Sequence, residues 1–187
     1  YYSLIIIVFA VLLTDFSNHT VKNTLSTAVS KKKYYLSKLT LILLLTAAAV
    51  LFNSIFIYVL NFIVNGKAYT TSFGSVLSAT LRHLPMLWGI ASFMTMLGFL
   101  TKKPAAFNAV TIPFQILFQT LLNALCLLTG WEFLWKFLEN YELQSALRKL
   151  AFSTDRGYVA TCCGIGLAEI VVSTVIGYHI FKKSEMK

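Results

Sequence analysis

The sequence predicts an all-α integral membrane protein, and three observations carry that prediction. Its residues are 57% hydrophobic and only 12% charged, and the mean hydropathy of +0.72 is well above that of an ordinary globular domain. The apolar residues collect in windows close to the roughly 20 residues a helix needs to cross about 30 Å of hydrocarbon. The lysines between those windows fall in alternate loops, as they do when one side of a bilayer holds the positive charge.

Five windows follow from the pattern, at about 1–14, 39–64, 76–100, 105–128 and 158–181. The first is short for a crossing. Because the chain opens on Tyr1 rather than Met, it is expected to start inside a helix or after missing residues. A cleavable signal peptide is not expected, since neither a basic flank nor a small-residue cleavage site is visible.

A formal charge of +9 raises nucleic acid as a partner, but the placement of the charges argues against it. Lys22, Lys31, Lys32, Lys33 and Lys38 follow the first window, Lys102 and Lys103 the third, and Lys182, Lys183 and Lys187 the fifth. Those loops are expected to be cytoplasmic, which leaves the C-terminus inside. The opposite loops carry Lys67, Arg82, Lys136, Arg148, Lys149 and Arg156 against Glu132, Glu139, Glu142 and Asp155, so their charges nearly cancel. The plain reading of the lysines is contact with anionic lipid headgroups.

The loop from Asp15 to Lys38 is the most informative segment. Ser17 or Asn18 can cap a helix over about 19–30, in which Val21, Leu25, Ala28 and Val29 recur at helical spacing while Lys22, Asn23, Ser26 and Thr27 point elsewhere. Such an amphipathic helix either rests on lipid or docks into a soluble partner. Tyr34, Tyr35 and Lys38 then suit the headgroup layer where the next span begins.

A second amphipathic pattern, about 131–150, sets Trp131, Leu134, Trp135, Leu138 and Tyr141 on one side, with Glu132, Lys136, Glu139 and Glu142 beside them. This predicts a helix anchored at the outer interface by its tryptophans. Pro85 and Pro113 fall inside the third and fourth windows, where each removes a backbone donor and can kink its helix. Phe52, Phe56, Tyr58 and Phe62 crowd the second window and suit lipid as well as they suit an apolar ligand.

Candidate chemistry is sparse. Cys126, Cys162 and Cys163 lack the paired spacing of a zinc site or disulfide framework and read as small buried hydrophobes. His19 and His179 have no neighbours at metal-ligand spacing and read as interfacial residues. HExxH, GxSxG and GxxxxGK[ST] are all absent, so no catalytic residue, metal ligand or cofactor-binding residue is expected, and any ATP would be bound by another chain.

Glu169 is the exception, a carboxylate about twelve residues from either end of the last window. A charge there costs roughly 2.5 to 3.5 kcal/mol on insertion scales, so such residues face a bundle interior, a partner or a water-filled path. Its readings are a substrate-path or switch residue on one side, and a structural or simply protonated group on the other. Arg82 and His83 are possible partners but lie nearer the outer end.

The segment DFSNHTVKNTLSTAVSKKKYYLSKL resembles the inner loop of ABC-2-type exporter permeases. In that family an acidic residue closes a span, a "KN-L" segment forms the coupling helix and a basic "K-YYLSK" run opens the next span. Asp15, Lys22, Asn23, Leu25, Ser30, Lys31, Lys32, Lys33, Tyr34, Tyr35 and Lys38 match in order. The resemblance implies a six-helix permease of which five spans are visible, the first being absent. It further implies a single transmembrane domain in a bacterial plasma membrane, paired with a second copy or a homologous permease. Cytoplasmic ATP-binding subunits would supply ATP and Mg. Lys22, Asn23, Thr24, Leu25 and Ser26 would be the coupling residues, and the cargo a peptide or small amphipathic antimicrobial compound.

Two other classes stay open on the residues alone. A secondary transporter without an ATPase would favour several intramembrane charges or broken helices, of which Glu169 is the one clear instance. A membrane scaffold would use the inner helix to hold a partner that hydrolyses nothing.

Overall fold

A computed structural model of the protein describes residues 3–184 apart from 19, 27, 28, 67–70, 142 and 154, and leaves out the side chains of 115, 116, 118, 119, 134, 137, 138, 143 and 144. Eight helices and no strand occur among the described residues. They are α1 (Ser3–Ser17), α2 (Thr20–Ser26), α3 (Lys31–Asn65), α4 (Phe73–Thr101), α5 (Pro104–Thr129), α6 (Glu132–Tyr141), α7 (Leu143–Phe152) and α8 (Arg156–Lys183). Among the described residues α3, α4 and α8 are long and apolar enough to cross a membrane, and the bent pair α1 and α2 makes a fourth if it is one span.

Local chemistry sets the ends. Ser30 accepts from the Lys33 N–H at 3.3 Å, Ser72 from Ser75 at 3.3 Å and Asp155 from Gly157 at 2.9 Å, so α3, α4 and α8 each open on a side-chain cap. Pro104 opens α5, where its missing N–H costs nothing. Gly66 and Gly130 close α3 and α5 at positive φ. Helices α4 and α5 continue through Pro85 and Pro113.

Helix α3 begins at Lys31, ahead of the apolar window expected from about 39, and Tyr34 and Tyr35 are buried side chains of its first turns. Of the outer segment expected over 131–150, the described residues form α6 and α7, each strongly two-sided, on either side of residue 142, which lies outside the described set. Trp131, just before α6, and Trp135 on it are exposed, while the side chains of Leu134 and Leu138 lie outside the described set. Tyr141 stacks on Tyr158 of α8 at 5.8 Å.

Helix α4 is the centre. It packs most extensively on α8, then on α3, and also receives α1, α5 and α7. Helices in a bilayer associate where small residues let backbones approach, and the seam of α8 is Cys162, Gly166, Ser173 and Gly177. A Cβ on Gly166 would stand 2.5 Å from the Pro85 carbonyl oxygen, and one on Gly98 would stand 2.8 Å from Leu12 of α1. Tyr35 and Met96 fill the space that Gly177 leaves. Ser92 and Thr95 satisfy their hydroxyls within their own helix, Ser92 by the Trp88 carbonyl at 2.8 Å and Thr95 by that of Ala91 at 2.7 Å.

At the end away from the lysines, α7 is pinned to α4 by polar contacts. Arg82 donates to the Ser153 carbonyl at 2.7 Å, and His83 Nε2 lies 2.8 Å from the Leu147 carbonyl. Ala146, Leu150, Met86 and Cys162 form a small apolar core beneath them. The outer half of α3, including Phe52, Phe56 and Val64, presents an apolar exposed surface suited to lipid.

The seam makes a paired prediction. Gly166→Ala should lower the detergent unfolding temperature by several degrees, because a backbone carbonyl cannot step aside, whereas Gly164→Ala, with nothing within 4 Å, should leave it unchanged or raise it slightly. Equal effects of the two substitutions in a thermal melt would contradict the packing described.

Candidate coupling site at the lysine-rich end

The site starts from an irregularity in α1. Residues Phe9–Leu13 form a π-helical turn, whose extra residue widens the coil and frees carbonyls from the regular ladder. With that turn in place Leu4, Val8, Leu12 and Leu13 are all buried, and the helix delivers Asp15 and Phe16 to α3 and α4.

Asp15 is gripped twice. Lys38 pairs with its Oδ2 at 2.6 Å and the Tyr34 hydroxyl donates to the same oxygen at 2.7 Å. The Lys38 ammonium also donates to the Val11 carbonyl of the π turn at 3.0 Å. Both charged side chains keep only about a fifth of their surface exposed, 20% and 21%. An exposed pair contributes about 0 to 1 kcal/mol, but one ordered by three contacts and half-screened from water belongs nearer the 1.5 to 3 kcal/mol of hydrogen bonds to charged groups.

Beneath the clamp is a knot of rings. Phe99 of α4 lies 4.6 Å from Tyr35 of α3 and 4.6 Å from Phe181 of α8, and meets Phe16 of α1 edge-on at 5.9 Å. Tyr34 adds an edge contact to Phe99 at 6.3 Å. Each such pair contributes about 0.5 to 1.5 kcal/mol beyond area burial. Four helices therefore share one ring.

Lys31 closes the assembly. Its ammonium donates to the carbonyls of Lys182 at 3.0 Å and Ser184 at 2.8 Å, the unpaired acceptors at the end of α8. Lys102, in the turn after α4, is held below the usual lysine range by burial and then by the charge of Lys31.

Helix α2 hangs from this frame, bent away from α1 by 71°. Among the described residues it covers Thr20–Ser26 of the expected 19–30, and Val29 and Ser30 are not helical; Ser17 belongs to α1, Asn18 is the C-cap of that helix, and His19, Thr27 and Ala28 lie outside the described residues. Val21 is buried in the core, with Leu25 and Val29 packed against it. Lys22, Asn23 and Ser26 are exposed, and Thr24 is half-buried with its hydroxyl on the Thr20 carbonyl at 2.9 Å. The five residues singled out for coupling thus share one short helix, Leu25 as its anchor and Lys22, Asn23 and Ser26 as its free face. Glu169 is not among them; it sits midway along α8 beside Gly89.

Sequence reasoning paired none of the clamp residues. Asp15, Tyr34 and Lys38 were each noticed, but their contacts span 19 residues and more and depend on how α1 and α3 meet. Phe99 and Phe181 carried no signal among so many phenylalanines. His179 is exposed, and no group of three metal-binding side chains occurs among the described residues. The arrangement is a cross-tied corner with a polar helix face turned outward. Comparison of the chain with protein-family models, with curated proteins and with solved structures finds no match in any of the three.

Asp15→Asn keeps the shape of the clamp and removes its charge. Trypsin should then cut at Lys22 roughly tenfold faster, because local opening near α2 becomes about 1 to 2 kcal/mol easier. Tyr34→Phe should give a smaller increase, and an unchanged cleavage rate in both would show that the clamp does not hold α2.

Proposed function

We propose that this chain is the membrane-spanning subunit of an ATP-driven exporter of the ABC-2 permease kind. In this reading five spans, with crossings by α1 and α5 added to those of α3, α4 and α8, lie in a bacterial plasma membrane with the lysine-rich end and the C-terminus inside. ATP and Mg are handled by a separate cytoplasmic subunit, and the permease pairs with a second copy or a homologue. Its cargo is a hydrophobic or amphipathic peptide or antimicrobial compound.

The observation that carries the reading is the two-sidedness of α2 on a stiff mount. Val21 and Leu25 root it in the core while Lys22, Asn23 and Ser26 face outward. A push on that face is delivered through Asp15 to Lys38 and Tyr34 of α3, and through the Phe99 rings to α4 and α8. A helix that only rested on lipid would turn apolar residues outward. Switching between inward-open and outward-open arrangements is the work such a corner can transmit.

The test is retention of an ATPase. Tagged protein extracted gently from its own membrane should bring down a nucleotide-hydrolysing subunit, and K22E with N23A should reduce that yield by about tenfold while the permease stays folded, since interface charge reversal commonly costs this much. Leu25 is unsuitable for this purpose because it also holds the core. Absence of any ATP-hydrolysing companion, or full retention by the double variant, would refute the reading.

A further inference from the structure

Midway along α8, Glu169 leans over Gly89 of α4, so close that a Cβ there would lie 2.6 Å from its Oε2. The side chain is half-buried rather than sealed, and it has no hydrogen bond or ion pair with any described residue. The cations that could have met it are engaged elsewhere. Arg82 is bound to the Ser153 carbonyl and to Ser78, and His83 lies between the carbonyls of Ala79 and Leu147, six residues and about 9 Å of helix rise beyond Gly89.

A second polar group shares this layer. Trp88, next to Gly89, donates to the Leu43 carbonyl of α3 at 2.9 Å, which fixes the depth of α3 against α4. One turn from Leu43 is Thr46, fully buried, with a hydroxyl that has no partner. The rest of the layer on α4 is apolar, with Met86 and Ile90 either side of Gly89. A carboxyl group without a partner among the described residues thus sits midway along α8, and a spare hydroxyl on α3, at positions where intramembrane acids mark substrate or ion pathways.

We infer that Glu169 anchors a lipophilic cation: the transported molecule carries an amine or quaternary ammonium on an apolar body, with Thr46 as a second acceptor in the same layer. An anion is repelled by the same group. A bare inorganic cation needs some six oxygen ligands, which this layer does not offer. An organic cation needs one counter-charge and an apolar wall. The inference rests on the transporter reading above, but the binding step needs no ATPase.

The test uses the full chain in phosphatidylcholine nanodiscs with tetraphenylphosphonium as probe and tetraphenylborate, of the same size and opposite charge, as its counterpart. Equilibrium dialysis should show saturable phosphonium binding that E169Q weakens about tenfold, that E169D largely keeps and that T46V weakens a few-fold, with borate not binding saturably. On the unmodified chain, phosphonium should slow labelling of Glu169 by dicyclohexylcarbodiimide, a readout that does not depend on any variant folding. Phosphonium binding equal in the wild type and E169Q, tight borate binding, or labelling that phosphonium leaves unchanged would each overturn the inference and make Glu169 a neutral wedge against Gly89. Intact phosphonium binding without a copurifying ATPase would refute the exporter reading alone.

Discussion

Phe99 is the point at which the helices meet, and the Asp15 clamp gives that meeting a direction. Apolar rings hold well inside a bundle but fix orientation loosely, since one edge contact resembles another in energy. The ion pair and the tyrosine hydroxyl supply the missing geometry, because a carboxylate oxygen approached from two sides has few places to be. Together they join α1, α3, α4 and α8 at one end into a body that a displacement of α2 cannot move piecemeal.

The opposite arrangement governs the middle of the bundle. There α4 and α8 approach through glycine rather than through large side chains, so their separation is set by backbone against backbone at Gly166 and Pro85. Close contact of this kind is stiff to compression. The π turn of α1 contributes in the same sense: its freed carbonyl is satisfied by Lys38 of another helix, so the irregularity is tied to the clamp.

Much of the helix plan was legible in the sequence because membrane helices must carry long apolar windows: α3, α4 and α8 are long and apolar enough to cross a membrane, and the fourth window is helical as α5. The start of α3 was not, because lysine and tyrosine at 31–38 read as a loop and a headgroup layer until the burial of Tyr34 and Tyr35 is known. At the lysine-rich end the two faces of α2 could be read from spacing alone, with Val21 and Leu25 against Lys22, Asn23 and Ser26. What spacing cannot carry is which distant residue meets which: Lys31 with the end of α8, or Arg82 with Ser153, depends on helix crossing, and that is decided by the glycine seam. Glu169 was recognised by its depth alone, while the absence of a cation beside it among the described residues emerged only with the packing.

The central claim is that the exposed face of α2 is gripped by a nucleotide-hydrolysing partner and that the clamp passes its motion inward. A photo-crosslinking amino acid in place of Asn23, activated in the native membrane, tests it most directly. The account predicts one dominant adduct, with a chain that binds ATP, and a lower yield when nucleotide changes the conformation of that chain. Adducts with lipid alone, or none with any ATP-binding protein, would contradict it.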